Sequence, residues 1–82
     1  MHGSCDQEMR EFEVSEDSEL AGKTLAEIAF PSGVLVTMIR RNERFIPARA
    51  ATCIERGDGL LIMAEHRLLR DLEVKYFKNN HI

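Results

Sequence analysis

The run Val34-Leu35-Val36-Thr37-Met38-Ile39 is the feature that most narrows what this chain can fold into. Its β-branched content and near-continuous apolar character read as a strand covered on both faces. The chain must then turn at once. Arg40-Arg41-Asn42-Glu43-Arg44 forms a tight reversal, and Asn42 tolerates the positive φ such a reversal demands. Phe45-Ile46 returns as a shorter strand. Pro47 ends it or confines it to a sheet edge, because proline has no amide to donate. The run and its return make a hairpin.

The remaining segments arrange themselves around that hairpin. Upstream, Glu11-Phe12-Glu13-Val14 alternates charged and apolar residues, the period of a half-buried strand. Ser15-Glu16-Asp17-Ser18 breaks it with turn-forming side chains. Thr24-Leu25-Ala26-Glu27 reads as a capping box, and Pro31 stops the helix it opens within two turns. Leu20, Leu25 and Ile28 are expected to face the core. Downstream come a short extended piece at Thr52-Cys53-Ile54, a turn at Glu55-Arg56-Gly57-Asp58-Gly59 and a buried strand at Leu60-Leu61-Ile62-Met63.

From about His66 the spacing of Leu68, Leu69, Leu72 and Tyr76 becomes helical. Arg67–Asp71 and Asp71–Lys75 are the expected charge pairs, and Asn79-Asn80 the expected end. The order is β-α-β-β-β-α: a small α+β domain, its hairpin and strands packed against a C-terminal helix. Residues 11–82 form the domain. Residues 1–10, with a tag-like Met1-His2-Gly3-Ser4 start, read as a flexible lead-in.

Composition supplies the exclusions. Eighty-two residues allow one domain, and a chain of that size buries only about 60–65% of the surface its unfolded form exposes. With four Phe, one Tyr and no Trp, the core rests on aliphatic side chains, so a homodimer is expected as a source of further burial. A formal net charge of −3 with interspersed signs argues against a nucleic-acid partner, which requires a concentrated basic patch. No apolar run approaches the roughly 20 residues of a bilayer span, and no segment reads as a signal peptide. Cys5 and Cys53 are too few and too far apart for a disulfide scaffold, so a reducing, cytoplasmic setting is expected.

No catalytic arrangement is legible. Cys53, in a short apolar stretch, reads as a buried structural thiol. His2, His66 and His81 have no metal-ligand spacing with each other or with either Cys. Gly22-Lys23-Thr24 superficially matches the end of a P-loop, but Asp17 stands where the first glycine belongs. The chain is not expected to be an enzyme, and no metal is expected.

Read as one string, Ser18-Glu19-Leu20-Ala21-Gly22-Lys23-Thr24-Leu25-Ala26-Glu27-Ile28 resembles the opening of the TrkA C-terminal domain family, also called the RCK C-terminal domain. Phe30, Pro31 and Gly33 before the apolar run continue the likeness. So do Arg40, Asn42 and Pro47 in the hairpin, and Thr52, Ile54, Gly57, Asp58, Leu60 and Ile62 beyond it. The resemblance covers roughly residues 12–77. It departs at Asn42, where the family usually has glycine, and at Ala64-Glu65, where many members have a glycine after the last strand.

The resemblance implies a dimeric regulatory domain on the cytoplasmic face of a potassium or other monovalent cation transporter. The membrane-embedded transport domain would lie in the same or another chain. Some members bind a nucleotide or cyclic dinucleotide at the dimer cleft. The ending with Leu69, Leu72 and Phe77 looks like versions attached to cation/proton antiporters. Ile39, Arg40, Arg41, Asn42 and Pro47 are the candidate ligand-binding residues, since paired arginine forks suit phosphate. Two readings stay open. One is a ligand-sensing module, and the other a dimerisation module in which both arginines are ordinary strand-end charges.

Overall fold

The computed structural model describes residues 6–77. Met1–Cys5, with His2, and the segment holding Asn79, Asn80 and His81 lie outside them, so the readings made on those positions are not addressed. Six elements follow the expected β-α-β-β-β-α order: β1 (Gln7–Glu13), α1 (Leu25–Ile28), β2 (Leu35–Arg41), β3 (Arg44–Pro47), β4 (Gly59–Glu65) and α2 (His66–Tyr76). All pairings in the four-stranded sheet are antiparallel, in the order β1-β4-β2-β3.

β1 starts at Gln7, inside the stretch expected to be a lead-in. Its first residues are polar and carry no strand signal of their own. They are extended because each pairs with β4, from Gln7 opposite Glu65 to Glu13 opposite Gly59. The strand exists through its partner.

Registers divide the sheet into two faces, because neighbours across the ladder point the same way. On the inner face stand Phe12, Leu60, Ile39 and Ile46 in one row and Arg10, Ile62 and Val36 in the next. Leu60, Ile62 and Ile39 are wholly buried there. Leu69 and Leu72 of α2 complete this core with Val14, Leu20, Ile54 and Ala64. Phe12 stacks on Phe77 at 4.7 Å between ring centres, and Tyr76 meets Phe30 edge-on at 5.7 Å.

α1 is capped as its residues dictate. The Glu27 amide donates to Thr24 Oγ1 at 3.1 Å, and the Thr24 amide donates to Glu27 Oε1 at 2.9 Å. Ala29 closes it in the left-handed region, two residues before Pro31. α2 follows β4 with no intervening loop, which accounts for Ala64-Glu65 lacking the family's glycine. The two charge pairs expected along α2 are not made. Arg67 instead lies 3.4 Å from Glu65, and Lys75 sits over the Tyr76 ring.

Two burial expectations need correction. β2 is covered on one face only: Leu35 and Met38 are exposed, and the register shifts between Val36 and Met38, where Thr37 forms a bulge. Thr37 Oγ1 donates to the Leu61 carbonyl at 2.9 Å. Cys53 is exposed rather than buried. It lies in a bridge with Thr24, and the alternation that buries Ile54 turns its side chain outward.

Candidate functional site

The hairpin ends in a two-residue reversal, Asn42-Glu43, between the paired residues Arg41 and Arg44. Asn42 takes φ = 61°, as its identity allowed. Beside the reversal is an open recess of about 790 Å³ lined by Arg41, Asn42, Glu43, Arg44 and Ile46. It is shallow and of mixed charge.

The sheet does not gather the five expected ligand residues. Arg41 and Asn42 line the recess. Arg40 and Pro47 project from the outer face, in register with Gly59 and Met38 respectively. Ile39 has no exposed surface and supports the hairpin from within the core. Its side chain packs in the core beneath the hairpin, so only its backbone neighbours the recess residues. Sequence reasoning missed Glu43, Arg44 and Ile46. A two-residue loop centred on Asn42-Glu43 would have placed Arg44 opposite Arg41, so this part was recoverable.

Arg41 is already committed. Its Nε donates to Asp58 Oδ1 at 3.0 Å and its Nη2 to Asp58 Oδ2 at 2.8 Å, a paired fork on one carboxylate. Nη2 also donates to the Cys53 carbonyl at 2.9 Å, while Nη1 stands 3.5 Å from Glu55 Oε2. The hydrogen bond to Asp58 raises the Arg41 pKa above the ordinary guanidinium value, with the nearby carboxylate charges adding to it.

Asp58 is 1% exposed and also accepts the Glu55 amide at 2.9 Å, closing its own turn. That turn is tied to the end of β1 by Val14 N to Asp58 O and Gly57 N to Val14 O, both 2.8 Å. The Gly-Asp step thus has a physical role. Gly57 supplies φ = 86°, and Asp58 anchors the base of the hairpin through Arg41.

Arg40 is also paired, on the opposite face. It reaches across the sheet to Glu11, with Nε to Oε2 at 2.8 Å. The two residues belong to strands separated by β4, and they meet because Gly59 lies between them. A Cβ at Gly59 would run into the Glu11 carboxylate and the Arg40 guanidinium. Arg44 is different. It is exposed, and no ion pair engages it among the described residues, so it is the cation free to meet an anion at the recess.

The Gly22-Lys23-Thr24 segment holds no phosphate cradle. Its backbone is spent on the 52–54 segment: Gly22 N donates to Ile54 O at 2.7 Å, Ile54 N to Lys23 O at 2.8 Å and Leu25 N to Thr52 O at 3.1 Å. Among the described residues there is no cluster of three potential metal ligands, and no helix is long and apolar enough to cross a membrane.

The family model described as the TrkA-C domain matches residues 9–75. The chain belongs to the TrkA-C, or RCK C-terminal, domain family. The ordered series from Ser18 to Ile62 carried that resemblance, although each piece has an ordinary structural role. A curated relative, Trk system potassium uptake protein TrkA homolog 2 of Methanosarcina mazei, is 37% identical over 71 residues, covering 87% of this chain. The chain spans about 16% of the length of the curated relatives it matches.

Among solved structures, the RCK_C domain dimer of S. agalactiae BusR in complex with c-di-AMP aligns with a TM-score of 0.71 and 26% identity. The alignment covers 80% of this TrkA-C chain and 91% of that one. BusR in complex with its busAB-promotor DNA aligns at 0.73 and 28%, covering 84% of this chain and 35% of that one. The expected absence of a nucleic-acid partner therefore finds no support among the similar structures.

Proposed function

We propose that this TrkA-C domain is a regulatory module of a potassium or other monovalent cation transport system. It dimerises and takes a nucleotide-like anionic ligand at the hairpin mouth. The observation that carries the reading is the family match over residues 9–75. Its likeness to an RCK_C dimer solved with c-di-AMP supports the ligand class. The transport domain it serves lies in the membrane, in the same or another chain, which puts this domain on the cytoplasmic face. The reading assigns it no catalytic step.

The ligand residues in this reading are Arg44 and Asn42 at the recess, with Arg40 and Pro47 at the neighbouring margin of the sheet. Arg41 serves as the held base of the hairpin, because withdrawing it would strand a buried carboxylate. The antiporter subtype gains nothing from the chain's ending. Leu69 and Leu72 are core residues and Phe77 stacks on Phe12, roles any member needs.

A thermal-shift series with c-di-AMP, ATP and NAD tests the sensing claim. A ligand at 100 times its dissociation constant adds about 2.7 kcal/mol to stability, which in a domain this small raises Tm by about 10–20 °C. One of the three should do so, and Arg44→Ala should abolish the shift. The second reading, dimerisation without a ligand, is favoured by the internal pairing of both Arg40 and Arg41. No shift with any of the three would select it.

A further inference from the structure

The two adjacent arginines of β2 are held by pairs of different kinds. Arg41 meets both oxygens of the buried Asp58, and withdrawing it would strand a charge away from water. Arg40 meets Glu11 more loosely. Its Nε and Nη2 both fall on a single carboxylate oxygen, Oε2, at 2.8 and 2.7 Å. The two side chains are 31% and 39% exposed, so water takes up either group when they part. This pair is replaceable where the other is not.

The Arg40 guanidinium also touches the hairpin mouth. Its Nη1 donates to the carbonyl of Asn42 at 3.3 Å, and Asn42 lines the recess. Arg40 therefore spans from Glu11 on β1 to the turn between β2 and β3, with Gly59 of β4 beneath it. The missing Cβ of Gly59 leaves the space in which carboxylate and guanidinium meet. Glu13 pairs with Gly59 in the ladder and has no ion pair among the described residues. Two carboxylates thus stand on this face near one guanidinium, and Glu11 is the one that holds it.

We propose that Glu11 is a built-in competitor for the ligand. Its carboxylate occupies Arg40 in the free domain, and an anionic ligand at the hairpin mouth must displace it. This rests on the ligand reading proposed above and names how that same site is regulated.

The exchange is chemically matched, because the guanidinium fork accepts carboxylate and phosphate oxygens alike. A partly exposed ion pair shifts an equilibrium by a factor of about two to five. Arg40 is accordingly free for only a minor share of the time, and the apparent affinity of the domain falls by that share. Glu11 thereby raises the ligand concentration at which the domain responds. The displaced carboxylate returns to water beside Glu13, and repulsion between the two favours the pair's re-forming once the ligand leaves.

The test is isothermal titration calorimetry of the full chain with c-di-AMP, each variant being checked by circular dichroism. Glu11→Gln should bind about two- to five-fold more tightly than the wild type. The gain should vanish in the Arg40→Gln background, where no guanidinium is left to release. Glu13→Gln removes the same charge from the same face without freeing Arg40, and its binding should stay close to that of the wild type.

Equal tightening by Glu13→Gln, or tightening that survives Arg40→Gln, reduces Glu11 to general repulsion and overturns the proposal. Unchanged or weaker binding by Glu11→Gln overturns it too. In each of these cases c-di-AMP binding by the wild type leaves the ligand reading standing. No binding by the wild type or any variant removes that reading, and the competitor with it. Should Glu11→Gln unfold, the Nε–H nuclear magnetic resonance signal of Arg40 in the wild type decides. It should move to a new position as c-di-AMP saturates the domain. A signal that stays fixed while the backbone amides at 41–46 respond refutes the displacement.

Discussion

Replacing Arg41 by methionine keeps the length of the side chain and removes its fork. Asp58, 1% exposed, would then hold its charge on the Glu55 amide alone. Breaking a buried pair from one side costs about 3–5 kcal/mol. The Arg41 side chain is 29% exposed, so water entering its place offsets part of that, and about 2–4 kcal/mol is expected. A domain of 82 residues has about 4–12 kcal/mol in all, so the loss is large. Tm should fall by about 8–25 °C.

Asp58→Asn keeps the turn and should cost less. In a urea double-mutant cycle, Arg41→Met and Asp58→Asn should couple by about 1–3 kcal/mol. The Arg41 pKa is raised in the folded state, so its contribution is complete below the unfolded value and fades only as pH rises through the folded one. Between about pH 6 and 10 the penalty of Arg41→Met should therefore not shrink through any titration of the arginine. If Arg41→Met unfolds within about 0.5 kcal/mol of the wild type, or the cycle is additive, the fork does not anchor the hairpin. Arg41 would then be free for a ligand.

Two further changes test local claims. Thr24→Ala removes one half of the capping box and should cost about 1 kcal/mol in urea unfolding; no loss would mean that the 52–54 segment alone holds α1. Gly59→Ala should part Arg40 from Glu11, yet cost under about 1 kcal/mol because both are the far ends of flexible, partly exposed side chains. A loss of several kcal/mol would show that the backbone of β4 had to move.

The parts of this fold legible in the sequence were those written in adjacent residues. Thr24 and Glu27 announce their mutual cap, Asn42 its positive φ, and Leu69 and Leu72 the buried stripe of α2. What escaped depends on partners distant in the chain. β1 begins at Gln7, ahead of the alternation that opens at Glu11, because β4 holds it. Cys53 faces outward because the 52–54 segment pairs with Thr24. β2 reads as doubly covered, yet Leu35 and Met38 are exposed, and an apolar residue on the open face of a sheet looks like a core residue in sequence.

The candidate site was legible only as a neighbourhood. Arg40 and Arg41 are adjacent in sequence and so point to opposite faces of the strand, one to Glu11 and the other to Asp58. Neither pairing can be read without the strand order β1-β4-β2-β3.

Ligand binding at the hairpin mouth is tested most directly by titrating the isotopically labelled chain with c-di-AMP and following backbone amide chemical shifts. Saturable shifts are expected at 41–46, at Arg40 and at the neighbours of Pro47 on the sheet margin, and they should be lost in Arg44→Ala. Saturable shifts centred elsewhere, or retained in full by Arg44→Ala, would take the ligand away from this hairpin.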